Sequence, residues 1–143
     1  MNMLGETDLG RLLAGLAPAL EPRPRAIRTQ AHDAPMPAGA IMWFREEEAA
    51  TVIVEIDDDS DADIDKRLWA QVVIRIHSSL DAVGMMAAIS AALTERGIPC
   101  NAVSAYFHDH LFVPWARRED ALAAVHALSA AHAGTASANG DAT

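Results

Sequence analysis

Apolar residues recur along the chain with two different periods, and the changes of period mark its elements. Near the start, Leu9, Leu12, Leu13 and Leu16 stand three and four apart, the spacing of one helix face, with Thr7 or Asp8 ahead of them as N-cap. Pro18, Pro22 and Pro24 then end that helix. Residues 26–31 predict a strand, and residues 32–39, with Pro35 and Pro37, a loop. Residues 40–44 and 51–56 predict two more strands. In the second of these, Val52, Val54 and Ile56 alternate with Ile53 and Glu55, the two-residue period of a pleated strand. The charged stretch 45–48 between them reads as a hairpin turn.

The second half carries a clearer pattern. Residues 69–76 form a near-continuous apolar run, which predicts a strand buried on both faces. His77, Ser78 and Ser79 follow. Either serine is placed to cap a helix starting at about Leu80, with Asp81 near its positive end. That helix carries Val83, Ala87, Ala91 and Leu93 or Thr94 at spacings of three and four, and stops at Arg96-Gly97. Residues 102–107 and 110–113 predict two strands joined by His108-Asp109 as a two-residue hairpin. Residues 116–131 predict a last helix, with Leu122, Val125 and Leu128 or Ser129 inward. Residues 133–143, small and polar, read as a disordered tail.

From Trp69 the order is β-α-β-β-α, a ferredoxin-like βαββαβ unit short of its final strand. Residues 51–56 are placed to supply it. The expected class is therefore α+β, a ferredoxin-like sandwich. An N-terminal half-module (1–66) completes the sheet of a main module (67–132), and residues 133–143 trail behind.

Composition narrows the function. A chain of 143 residues makes one compact domain, or two small ones sharing a core. It is too short for an α/β barrel, which takes roughly 250 residues. Eleven Lys and Arg against twenty Asp and Glu leave a net charge of −9, a surface that repels nucleic acid and anionic membrane. Ten of the twenty acids fall between Glu46 and Asp65, and this run divides the chain in two. Cys100 is the only cysteine, which excludes an internal disulfide and a multi-cysteine zinc site. No apolar run nears the roughly 18 residues of a membrane span. Glu6 and Asp8, without a basic start, do not make a signal peptide. The expected setting is the cytoplasm.

Three constellations invite chemistry. His108-x-His110 with Asp109 places two imidazoles on one side of a strand, and His77 or Asp109 would have to complete a metal site. The plainer reading is a polar hairpin with surface histidines. The acidic run from Asp57 to Asp65 suggests calcium, but an EF-hand loop needs glycine sixth and glutamate twelfth. Counting from Asp57 those positions hold Ala62 and Leu68, and from Asp59 Ile64 and Ala70, so the run reads as a solvated loop. Cys100, beside Pro99 and without a basic neighbour, reads as a structural thiol. No nucleophile elbow or glycine-rich phosphate loop is present, so neither catalysis nor a cofactor is expected.

Three stretches taken together resemble the ACT family of small-molecule-binding regulatory domains. They are Ile76-His77-Ser78-Ser79-Leu80-Asp81-Ala82-Val83-Gly84, Gly97-Ile98-Pro99-Cys100-Asn101-Ala102-Val103-Ser104-Ala105-Tyr106 and His108-Asp109-His110-Leu111-Phe112-Val113-Pro114. The resemblance covers residues 69–130 and is to the type found in aspartate kinases and their free-standing bacterial relatives. It implies modules that pair and bind an amino acid where they meet. Carried over by position, the ligand loop is His77, Ser78, Ser79, Leu80, Asp81, Ala82 and Val83, with Gly84 in the first helical turn. The resemblance also implies an acidic residue starting the partner module's second strand. The matching residue here is Asn101, which is neutral.

The residues' own chemistry agrees with the first half of that picture. A helix N-terminus presents unpaired N–H groups and partial positive charge, which suit a carboxylate. On the plainer reading, Ser78 and Ser79 only cap the helix and Gly84 only packs. The leading expectation is a non-catalytic regulatory module that binds an amino acid as a homodimer. Its rivals are a ligand-free protein-interaction or dimerisation module and a metal-binding protein built on the histidine hairpin.

Overall fold

The computed structural model describes residues 4–57 and 67–139. The acidic run from Asp58 to Asp65 lies outside the described residues.

The first helix, α1 (Leu9–Ala14), is short and starts as expected: the Asp8 side chain accepts from the Arg11 amide at 2.9 Å. Gly15 ends it. Among the described residues, seven strands follow in one antiparallel sheet. They are β1 (Pro18–Leu20), β2 (Arg25–Gln30), β3 (Ala40–Arg45), β4 (Ala50–Glu55), β5 (Trp69–Ile74), β6 (Asn101–Ser104) and β7 (Asp109–Pro114). Helix α2 (Met85–Glu95) joins β5 to β6, and a 3₁₀ turn (Trp115–Arg117) leads from β7 into α3 (Arg118–Asn139). The sheet order is β3-β4-β2-β5-β7-β6, with β1 also paired to β5.

The sheet of the main module is completed by β1 and β2, and not by residues 51–56 as the sequence suggests. Pro18, Ala19 and Leu20 lie opposite Ile74, Val73 and Val72, and Arg25 lies opposite Trp69. Residues 51–56 belong to β4, which pairs with β2 and β3 instead. Three residues opening on a proline give no strand signal, yet proline is tolerated as the first residue of a strand because its missing N–H costs no ladder bond there.

All six residues of β5 are buried, as its apolar run predicts. One face of β5 (Ala70, Val72 and Ile74) joins Leu111 and Val113 of β7 beneath the helices. Into this core α1 sends Leu12 and Leu13, α2 sends Met85, Ile89 and Leu93, and α3 sends Ala121, Ala124 and Val125. The α2 stripe differs from the expected one: Ala87 and Ala91 are exposed, because the helix begins at Met85 and not near Leu80. The larger apolar residues Met85, Ile89 and Leu93, spaced four apart, take the buried face, and Ala87 and Ala91 turn outward.

On the other face, Trp69 of β5, Phe112 of β7 and Ile53 of β4 pack together with Met42 and Val103. Neighbouring strands lie about 4.8 Å apart, so a flat sheet would hold β4 and β7 too far from each other for this. The sheet curls, and its concave side closes over these residues. The last helix runs through Asn139, well past Ala131, so residues 133–139 are helical where the sequence reads as a tail.

Candidate functional site

The ligand loop expected from the sequence lies where β5 hands over to α2, and its two serines do not cap the helix. The Ser78 hydroxyl is buried and donates to Asp109 Oδ2 at 3.0 Å. Ser79 Oγ accepts from the Asp81 amide at 3.1 Å, and the Ala82 amide donates to the Ser79 carbonyl at 3.0 Å, which closes a tight turn. The N-cap of α2 is Gly84, at φ 98°, with no side-chain cap bond. That left-handed conformation suits glycine, and the Leu9 side chain would meet a Cβ there at 3.1 Å. The first-turn amides of α2 are left without a side-chain partner, at the positive end of the helix.

The loop is pinned from two sides. The Glu6 amide donates to the His77 carbonyl at 2.8 Å, and the Ser79 amide donates to the Glu6 carbonyl at 2.9 Å. This approach requires Gly5, at φ 75°, since a Cβ there would fall 2.6 Å from the Ser79 nitrogen. From the sheet side, Asp109 holds Ser78. Neither Gly5 nor Glu6 stands out in the sequence as a support for this loop, and Asp109 reads there as a turn residue. The turn is in fact Tyr106-Phe107, with the Ala105 amide donating to the His108 carbonyl at 3.0 Å, and Asp109 is the buried first residue of β7. Two aromatics carry no turn signal, and so the expected hairpin was displaced by two residues.

Leu80, Asp81 and Val83 are exposed on the loop, and Ala82 packs against the helix-side core. The His77 ring lies 5.6 Å from that of Phe107 and 6.4 Å from that of Tyr106, centroid to centroid. Asn101 is exposed at the start of β6 and lies opposite Phe112. The loop sits at the other end of this ladder, beside the Ser104–Asp109 pair, so one chain does not bring Asn101 to it.

His110 lies in β7, and its Nδ1 is 2.9 Å from Gln71 Nε2. Burial lowers its pKa from the ordinary value and His108 adds to the effect, while Asp109 and Glu21 oppose it. Among the described residues, no group of three or more His, Cys, Asp or Glu is placed to hold a metal ion. Cys100 is half-buried, and burial pushes its thiol up to about 11, which keeps it protonated and unreactive at neutral pH.

Comparison with known proteins bears on both halves of the chain. One ACT domain model matches residues 68–127 and a second matches residues 4–71. A solved Vibrio cholerae protein of unknown function, described as a possible transport protein, is 30% identical. The match covers 80% of this chain and 89% of that one, with a TM-score of 0.66. The chain belongs to the ACT domain family. ACT domains are small-molecule-binding regulatory modules rather than catalytic ones. An Agrobacterium tumefaciens protein, 19% identical over 75% of this chain and 84% of its own, shares the fold at a TM-score of 0.58. No curated protein matches the sequence. The two ACT matches overlap at residues 68–71, which run into β5, the strand that pairs with β1 and β2 on one side and β7 on the other. Among the described residues, no helix is long and apolar enough to cross a membrane.

Proposed function

We propose that this ACT domain protein is a non-catalytic regulatory module that binds an amino acid, or a similar small carboxylate, at the loop His77–Gly84. The observation that carries the reading is the start of α2. Its first-turn amides have no side-chain cap, and the loop that leads to them is held in place by Glu6 and Asp109. A carboxylate meets unpaired N–H groups and partial positive charge there, on a site already ordered before binding. Ser79 and Ala82 keep the approach small, and the Asp81 carboxylate stands exposed at its rim.

The reading includes a homodimer. Strand β6 is the edge of the sheet, and edges of this kind are normally paired or covered. A second copy on that edge brings another Asn101, whose amide both donates and accepts hydrogen bonds. Asn101 then meets the ligand's amine by a neutral hydrogen bond in place of an ion pair.

A thermal-shift screen with the proteinogenic amino acids tests the proposal. A ligand at a hundred times its Kd adds roughly 2.7 kcal/mol of stability. Ser79→Asp keeps an acceptor for the Asp81 amide but adds negative charge beside the helix start. It is expected to melt near normally and to lose affinity by tenfold or more, about 1.4 kcal/mol. A screen with no stabilising amino acid favours the ligand-free interaction module, for which the β6 edge alone is needed.

A further inference from the structure

A chain of polar side chains crosses the concave face of the sheet, away from the ligand loop. Arg25 of β2 is 5% exposed, and its Nε donates to Gln71 Oε1 at 2.9 Å while Nη1 donates to Glu55 at 3.0 Å. Glu21 stands 3.9 Å from the same guanidinium. Gln71, 4% exposed on β5, reaches His110 of β7 with its Nε2. The chain therefore runs β4-β2-β5-β7, through the middle of the sheet.

It spans the place where the backbone ladder is thinnest. Strand β2 meets β5 in one residue pair, Arg25 opposite Trp69, and the chain leaves the ladder between β1 and β2. Gln71 ties that break twice. Its carbonyl accepts from the Glu21 amide at 2.9 Å, and its side chain accepts from Arg25.

The direction of each hydrogen bond follows from donor arithmetic. A guanidinium only donates, so the Gln71 oxygen must face Arg25 and its NH₂ must face His110. His110 Nδ1 is then an acceptor, which requires a neutral imidazole with its proton on Nε2. A proton on Nδ1 sets N–H against NH₂. Turning the Gln71 amide over only moves the conflict, because NH₂ then faces the guanidinium. No orientation of Gln71 satisfies both neighbours once His110 is charged.

We propose that Arg25, Gln71 and His110 form a proton-sensitive latch at the junction of β2 and β5: Gln71 holds both neighbours while His110 is neutral, and must give up one of them when His110 takes a proton. The groups facing His110 are mixed in sign. Burial disfavours its charge most, His108 on the adjoining turn adds to that, and Asp109 and Glu21 favour the charge without reversing the balance. Its direct neighbours across the ladders, Val73 and Val103, are apolar. With the native pKa below the unfolded value of about 6.5, the unfolded chain binds more protons in the interval between the two. The latch's stabilisation is therefore complete above about pH 6.5 and falls as pH drops toward the native pKa.

The experiment is a pH titration of the full chain by nitrogen-15 NMR of the imidazoles and the Gln71 side-chain amide. At about pH 7.5 His110 is expected as the Nε2–H tautomer, and the Gln71 NH₂ signals are expected to shift with the same midpoint as His110. An Nδ1–H tautomer, or Gln71 signals that stay flat through the His110 titration, overturns the latch. Melting of wild type and His110→Gln from about pH 7.5 to about pH 5 gives a second reading. The wild type is expected to lose more Tm than the variant, and equal losses overturn the proposal. If His110→Gln does not fold, the titration of the wild type still decides.

Discussion

The two halves of the molecule contribute to the sheet in different ways. Around β5 the chain is layered: α1, α2 and α3 cover one face, and β1 and β7 flank the strand on either side. The ribbon of β2, β4 and β3 extends outward from it, ends on an edge strand with Ile41 and Phe44 exposed, and curls to place Ile53 against Trp69 and Phe112. Yet the N-terminal half is not an appendage. Its α1 lies in the main core beside α3, where Leu12 and Leu16 are fully buried. Each half lacks a part that the other holds. The C-terminal order β-α-β-β-α has no fourth strand until β1 and β2 arrive, and β2–β4, which hold a small cluster of their own in Ala26, Val52, Val54 and Ile56, need Trp69 and Phe112 to cover Ile53.

Cutting the chain is the strongest way to break this picture. A fragment beginning at Arg67 loses α1, β1 and β2, and with them Leu12, Leu13, Leu16 and Leu20 from the core. The first three are buried and worth about 1.5–3 kcal/mol each, so that even without the partly buried Leu20 they rival the lower part of the 5–15 kcal/mol stability of a typical small domain. The fragment is expected to lack a cooperative thermal transition by circular dichroism. A sharp melt would show the C-terminal module to be self-sufficient.

A smaller perturbation asks the same question at one residue. Leu12→Ala empties a fully buried position contributed by the N-terminal half to the shared core, and is expected to cost about 2–5 kcal/mol in urea unfolding. A loss below about 1 kcal/mol, the size of an ordinary surface change, would place α1 outside the cooperative core.

The last of these concerns the loop before α2. Ser78→Ala removes the partner of the buried Asp109 carboxylate and is expected to cost about 1–3 kcal/mol. Amide exchange at Ser79, which bonds to the Glu6 carbonyl, should quicken in the variant. Unchanged stability and exchange would mean that Asp109 does not hold the loop.

What could be read in advance follows the physics of each element. The β5 run was legible because a strand buried on both faces must be apolar throughout, and the Asp8 cap because a side-chain cap is a local interaction. The position of the loop was legible as well, since its residues lie between a clear strand and a clear helix stop. Its internal wiring was not. Leu80 and Val83 look like the first turn of a helix, yet Val83 is 81% exposed and the helix waits for a left-handed glycine at Gly84. Which serine caps and which binds Asp109 depends on a contact across 31 residues of chain, and periodicity carries no such information. The fourth strand escaped for the same reason: alternation identifies β4 as a strand but does not say which neighbour it pairs with. The buried Arg25–Gln71–His110 chain joins three strands, and in sequence each member looks like an ordinary polar residue.

The central claim is that the loop at the start of α2 receives a small carboxylate, and amide mapping by NMR tests it most directly. Titrating the amino acid that stabilises the wild type should shift the amides of Ser79 through Ala87 first and saturably, and Ser79→Asp should abolish those shifts while leaving the rest of the spectrum native. Shifts centred on the concave face or on β3, with the α2 amides unmoved, would contradict the account.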